Sequence, residues 1–352
     1  MTVLWVLTGP KSGDNGQVMN AAKASGLPFE TRHIVFDSAH LGRKPVVRAS
    51  LDGVDAERSD RLCGPWPGIV LVIGRRLSCV ALWIKKQSGG ATRIALFNAP
   101  KGRARDFDLV VLPPYYRKQK CASALSIRAP LTGIDPLRIA QAGNELAQAL
   151  GAGQRPIHVL LVGGDMGQRK LEPGFVAGIY RQMRDGFAAG GAIHVSTSPR
   201  TPPRVVETLR PMLRPQDCLH AWRPDATANT YLGLLAHGES FTVTADSLSM
   251  LIEVARLGKP LVIAEPPRRH GLAGLKDWAS GLLRPRDLRH ALRMLYSGGY
   301  AVPLGMPPQP CRGLLPDDTG LVADRLRLLA GAEAEQVIRH CPAVPTAGPL
   351  TQ

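Results

Sequence analysis

The chain has 352 residues, too many for one ordinary core and enough for two domains. An apolar fraction of 44% with only 5% aromatics excludes a disordered chain and favours an Ala/Val/Leu-rich α/β protein over a β-sandwich. Forty-four Lys+Arg against 28 Asp+Glu leave a net charge of +16, which favours nucleotide phosphates, acidic lipid or nucleic acid as partners, although a merely solvated basic surface gives the same balance.

Apolar runs bounded by turn residues recur as VLWVLT (3–8), HIVF (33–36), GIVLVIG (68–74), RIALF (93–97) and LVVLPP (109–114). With helix-like stretches at Gln17–Ala24 and Leu77–Lys86 between them, they predict a parallel sheet covered on both faces. DPLRIAQAGNELAQAL (135–150) follows as a helix with Asp135 as N-cap and Pro136 in its first turn, and the Gly/Pro-rich GAGQRP closes the first domain, 1–150. The rhythm restarts with strands at 157–164, 192–198, 218–222, 241–245 and 260–265, separated by helices at Gly174–Ala189, Pro203–Leu213, Ala228–His237 and Ser247–Leu257. This strand–helix alternation predicts a second doubly wound domain, 151–316. Two further helices, within 284–296 and 317–331, flank the Pro-rich VPLGMPPQP, and residues 332–352 read as a disordered tail.

The six cysteines are scattered, with no CxxC pair, and read as reduced, mostly buried thiols; no metal site is expected. No run approaches the roughly 20 apolar residues of a spanning helix, and the N-terminal run is too short for a signal peptide. The expected location is therefore cytoplasmic, at most peripheral on the inner face of a membrane.

Four stretches carry candidate chemistry. GPKSGDNGQ (9–17) is read as a polar loop between strand and helix. Gly13 and Gly16 there permit close approach to a ligand, Lys11, Asn15 and Gln17 add polar contacts, and Asp14 is placed as a base or as a helix cap. VGGDMGQRK (162–170) offers Gly163 and Gly164 for close approach, with Arg169 or Lys170 for a phosphate. STSPRTP (196–202) supplies Ser196, Thr197, Ser198 and Arg200 at a sheet's carboxyl edge, either for a diphosphate or as an ordinary helix cap. In TADSLSMLIEVARLGKP (244–260), Asp246, Ser247 and Ser249 crowd a helix start, and Glu253 shares a face with Ser249 and Met250. A carboxylate there can accept two ribose hydroxyls or form a surface pair with Arg256. His33 and His158, inside apolar runs, read as core residues, while His237 and His270 sit in loops without a triad partner.

GDNGQ, STSPRTP and TADSLSM…E…GKP together resemble the mitochondrial-fission "elongated mitochondria" family, whose bacterial members are often labelled nucleoside-diphosphate-sugar epimerase-like. The likeness runs to about Leu329, with GPK here where the family form would read GDK, so that Asp14 is the loop's one acid. The resemblance implies a GT-B fold: two facing doubly wound domains, a nucleotide-sugar cleft between them, and a last helix, 317–331, crossing back to the first. It places Glu253 on the ribose, Ser247 and Ser249 at the phosphates, and the GDNGQ loop on the acceptor side with Asp14 as base. It implies a metal-independent glycosyltransferase acting on an envelope or lipid-linked acceptor at an anionic membrane surface, with no cofactor beyond the sugar nucleotide. A sugar-nucleotide epimerase is its near neighbour. Plant members are associated with recruiting a dynamin-related GTPase, which makes a protein-binding adaptor the alternative. Nucleic-acid binding is disfavoured, because no aromatic-interleaved basic patch supports it.

Overall fold

The computed structural model describes residues 4–41, 45–98, 103–114, 121–151, 155–165, 170–187, 190–225, 229–266 and 288–331. Arg169, His270 and the expected tail at 332–352 lie outside them. The chain divides into two units, 1–131 with 317–352, and 132–316.

In the first unit, strands β1 (Leu4–Thr8), β2 (Phe29–His33), β3 (Ile69–Ile73), β4 (Arg93–Phe97), β5 (Leu109–Leu112) and β6 (Ala124–Ser126) form one parallel sheet in the order β2-β1-β3-β4-β5-β6. Residues two apart on a strand share a face, so each central strand feeds two cores. Leu4 and Val6 join Val18, Ala21 and Ala22 of helix α1 (Ser12–Ser25), whereas Trp5 and Leu7 join Leu77, Val80 and Ile84 of α3 (Arg75–Gln87), which follows the short helix α2 (Ser38–Leu41).

The helix Thr319–Ala330 completes the α1 side with Val322 and Leu326. Its Arg327 donates from Nε to the Ser25 carbonyl at 2.9 Å and from Nη2 to the Ala24 carbonyl at 2.9 Å, satisfying acceptors at the end of α1. Buried Asp318, just before the helix, accepts from the Arg128 backbone N–H at 2.6 Å and from its Nε at 2.9 Å. Asp318→Asn weakens these charge-assisted bonds and is expected to lower stability by about 1.5–3 kcal/mol, read from urea denaturation of the full chain.

The second unit repeats the plan with β7 (Ile157–Val162), β8 (Ala192–Thr197), β9 (Cys218–His220), β10 (Ser240–Thr244), β11 (Leu261–Ala264) and β12 (Val302–Pro303), all parallel in the order β12-β11-β10-β7-β8-β9. This is the dinucleotide-fold order, with its reversal between β7 and β10. Helix α5 (Pro173–Gly186) and α6 (Pro203–Leu209) cover one face through Val176, Ile179, Tyr180 and Val205.

Helix α4 (Pro136–Leu150) starts as expected, with Asp135 accepting from the Leu137 and Arg138 N–H groups. It belongs to the second unit, however, so the boundary expected after residue 150 falls at Thr132. The cause is close packing on α7 (Thr230–His237): a Cβ at Gly233 would meet the Ala142 carbonyl at 2.7 Å, and one at Gly143 would meet Ala236 Cβ at 2.8 Å.

The strand expected at 33–36 is displaced to β2, because β1 ends opposite His33 and leaves Phe36 only an isolated bridge to Val54. His33 is accordingly exposed rather than in the core. Among the described residues, no helix is long and apolar enough to cross a membrane.

Candidate functional site

Open α/β sheets bind ligands outside the carboxyl ends of their strands where the strand order reverses. In the second unit that point is the pair β7 and β10, which run out into Gly163-Gly164 and Ala245-Asp246. The structure brings these predicted residues into contact. Gly164 N–H donates to Asp246 Oδ2 at 2.7 Å, and Gly163 N–H donates to Thr244 Oγ1 at 2.8 Å. A Cβ on Gly163 would lie 2.0 Å from Asp246 Oδ2 and would have to push that carboxylate aside, and one on Gly164 would lie 2.0 Å from the Arg200 carbonyl, which is backbone.

Arg200 reaches back with Nη2 to Asp246 Oδ2 at 3.2 Å. Burial raises the Asp246 carboxyl pKa, opposed by the Gly164 N–H, Thr244 and Arg200. Ser198 Oγ donates to the Gly163 carbonyl at 2.9 Å, and Thr201 Oγ1 donates to the same carbonyl. Thr197 Oγ1 accepts from the Trp222 N–H at 2.8 Å, and Ser196 is buried beside it. Several groups expected to face a ligand are thus engaged with one another. Thr201 and Thr244, singled out for nothing in the sequence, are central to the arrangement. Lys170 pairs with Asp165 at 2.9 Å.

Helix α8 (Leu248–Arg256) starts immediately outside β10 with Ser247 as N-cap, whose side chain makes no capping bond. Leu251, Ile252, Val254 and Ala255 are buried, while Ser249, Met250, Glu253 and Arg256 occupy the partly open face. The helix N-terminus thus presents its N–H groups at the switch point, with an acid between one and two turns inward. Glu253 Oε2 accepts the hydroxyl of Tyr231 from α7, a partner 22 residues away that spacing on α8 gives no means of finding. Burial raises the Glu253 carboxyl to about 7, against the Tyr231 bond and the Arg256 charge. Arg256 also donates from Nη1 to the Thr132 carbonyl at 2.6 Å, so a simple surface pair with Glu253 is too small a description.

In the first unit, the stretch expected as a loop is the opening of a helix. Helix α1 begins at Ser12 rather than Gln17, and Gly13, Asp14, Asn15, Gly16 and Gln17 lie within it, with Lys11 as N-cap. Asn15 explains the early start: Oδ1 accepts from Gly9 N–H at 2.9 Å and Nδ2 donates to Gly9 O at 2.7 Å, folding the strand end onto the helix. Asp14 sits in the first turn, where its charge complements the helix dipole, 3.9 Å from Lys11 Nζ. Gln17 is buried, with Oε1 lacking a hydrogen-bond partner. At the carboxyl end of β4, buried Asn98 has φ of 61° and neither side-chain amide atom is satisfied. Unpaired buried amides are costly, and such strain gathers at ligand sites.

The remaining reactive residues are less buried than expected. Of the described cysteines, only Cys79 is buried, Cys63 is exposed, and Cys121, Cys218 and Cys311 are intermediate. His158 is half-buried and stacked on Phe187, and His237 Nε2 bonds the Gly143 carbonyl at 2.8 Å. His194, Cys218 and His220 converge on neighbouring strands. A search for CxxC spacing overlooks that group, because His194 comes from a different strand.

The family described as Mitochondrial fission ELM1 matches residues 12–274. Mitochondrial fission protein ELM1 of Arabidopsis thaliana is 22% identical over 249 residues, spanning 64% of this chain and 58% of the plant protein. Among solved structures, the UDP-GlcNAc 2-epimerase of Methanocaldococcus jannaschii, in complex with UDP-GlcNAc and UDP, aligns with a TM-score of 0.50 and 12% identity over 93% of this chain and 99% of that one. The putative UDP-N-acetylglucosamine 2-epimerase of Listeria monocytogenes gives 0.49 and 12% over 95% and 97%. At such identity the likeness speaks to the fold alone. Together with two doubly wound parallel sheets, it makes the fold GT-B.

Proposed function

The chain belongs to the mitochondrial fission ELM1 family, and from that premise we propose that its second unit binds a nucleoside-diphosphate sugar, which the protein transfers to an envelope or lipid-linked acceptor. One observation carries the reading: the β7/β10 switch point is faced by the start of α8, and Glu253 stands between one and two turns further in. The α8 N–H groups with Ser247 and Ser249 receive the diphosphate, and ionised Glu253 accepts the ribose hydroxyls. Asp246 and Arg200 pack against the glycine turn and fix it at the end of β7. In the first unit, Asp14 is the base for the acceptor hydroxyl, and the unsatisfied Gln17 Oε1 and Asn98 amide supply polar contacts. The net charge of +16 holds the protein on anionic lipid, where such acceptors reside.

A second reading, a partner-recruiting adaptor on a scaffold without turnover, is favoured by the engagement of Gly163, Gly164 and Ser198 with other protein groups. Turnover separates the two. Nucleoside-diphosphate sugars, UDP-GlcNAc among them, are incubated with the full chain and a lipid extract, and release of nucleoside diphosphate is measured. The enzyme reading expects release by wild type and loss of at least about 100-fold in Asp14→Asn, with sugar-nucleotide binding kept. No release with any donor leaves the adaptor reading, and equal release by Asp14→Asn removes the base assignment.

A further inference from the structure

In the ladder between β8 and β9, His194 stands opposite Cys218 and Ser196 opposite His220. Alternation along both strands therefore places His194, Cys218 and His220 on one face. The intervening Ile193, Val195 and Leu219 pack into the apolar core on the other face. The ligating atoms of the three side chains all lie within 4.8 Å of one another, and His220 Nε2 is 3.1 Å from His194 Nδ1. Two nitrogens bound to one tetrahedral zinc ion stand about 3.4 Å apart, and a thiolate sulfur stands about 3.6 Å from each. The nitrogens already have nearly that separation, and the Cys218 sulfur lies within 4.8 Å of both.

We propose that His194, Cys218 and His220 form a zinc site that fastens the edge strand β9 to β8. Two imidazoles and a thiolate are the donor set of zinc and other late transition metals, not of magnesium or calcium. Three protein ligands leave the fourth tetrahedral position to water. On binding, the Cys218 thiol proton leaves to solvent and the sulfur–metal bond replaces it; no electron is transferred. The edge has particular need of such a fastening: β9 is three half-buried residues, paired on one side only.

The test uses untagged, metal-stripped full-length protein titrated with Co(II) and then Zn(II). The site predicts one equivalent of Co(II) with thiolate charge-transfer and tetrahedral d–d absorption, displaced by zinc. Cys218→Ser should abolish the charge-transfer band, Cys63→Ser should keep it, and His220→Gln should weaken zinc binding by more than the roughly 10- to 100-fold that loss of an outer-shell partner costs. Circular dichroism of both ligand variants establishes that they fold. Binding without a thiolate band, or of equal affinity in folded Cys218→Ser, overturns the site and leaves only a histidine–histidine hydrogen bond. Neither outcome bears on nucleotide binding, which is measured separately.

Discussion

Alanine at Gly163 is expected to cost about 3 kcal/mol, because its methyl carbon would lie only 2.0 Å from Asp246 Oδ2. Relief requires Asp246 to swing away, which breaks its bonds to the Gly164 N–H and to Arg200. It also leaves a carboxylate, already raised in pKa by burial, without its strongest donors. At roughly 2–4 °C per kcal/mol for a unit of this size, the melting temperature should fall by about 6–12 °C. Gly174→Ala is the control: that glycine lies near the start of α5 with open space around its Cβ position, so the substitution should be neutral or slightly stabilising. A Gly163→Ala protein within about 0.5 kcal/mol of wild type would show that the glycine turn is not clamped.

The second large effect is that of pH on Glu253. Its folded pKa of about 7 exceeds the ordinary 4.5, so between these values the folded state holds a proton that the unfolded chain has released. Stability from this group is therefore greatest below about pH 4.5 and falls as pH rises to about 7, by at most about 3 kcal/mol. Nucleotide binding has the opposite slope. A carboxylate accepting two ribose hydroxyls must be ionised, so affinity should fall up to about tenfold per pH unit below 7. Urea denaturation and binding isotherms at pH 5, 6, 7 and 8 should show both slopes in wild type and neither in Glu253→Gln. Parallel profiles in the two proteins would remove Glu253 from the site.

The sequence was most informative about the buried centre of each sheet. Runs such as IVLVI and LVIA are apolar throughout because both of their faces are covered, and they are strands where expected. Edge strands escaped for the same physical reason. FETRH of β2 is polar because one flank meets solvent, and β12 consists of Val302 and Pro303, a composition that argues against a strand anywhere but an edge. The early start of α1 was hidden by Gly13 and Gly16, poor helix formers whose preference is overridden by the Asn15 amide on Gly9. In the site, α8 with Ser249, Met250 and Glu253 on one partly open face was legible from helical spacing. The fit of Gly163 against Asp246, the Tyr231 bond to Glu253 and the convergence of His194 with Cys218 and His220 join residues on separate elements, which no local pattern encodes.

The most direct measurement is calorimetric titration of the full chain at pH 8 with nucleoside-diphosphate sugars, UDP-GlcNAc among them, for wild type and Glu253→Ala. Saturable binding of at least one sugar nucleotide by wild type, weakened more than about tenfold in Glu253→Ala, is the predicted result. Absence of binding by wild type, or equal binding by the two proteins, would contradict a nucleotide-sugar site at the start of α8.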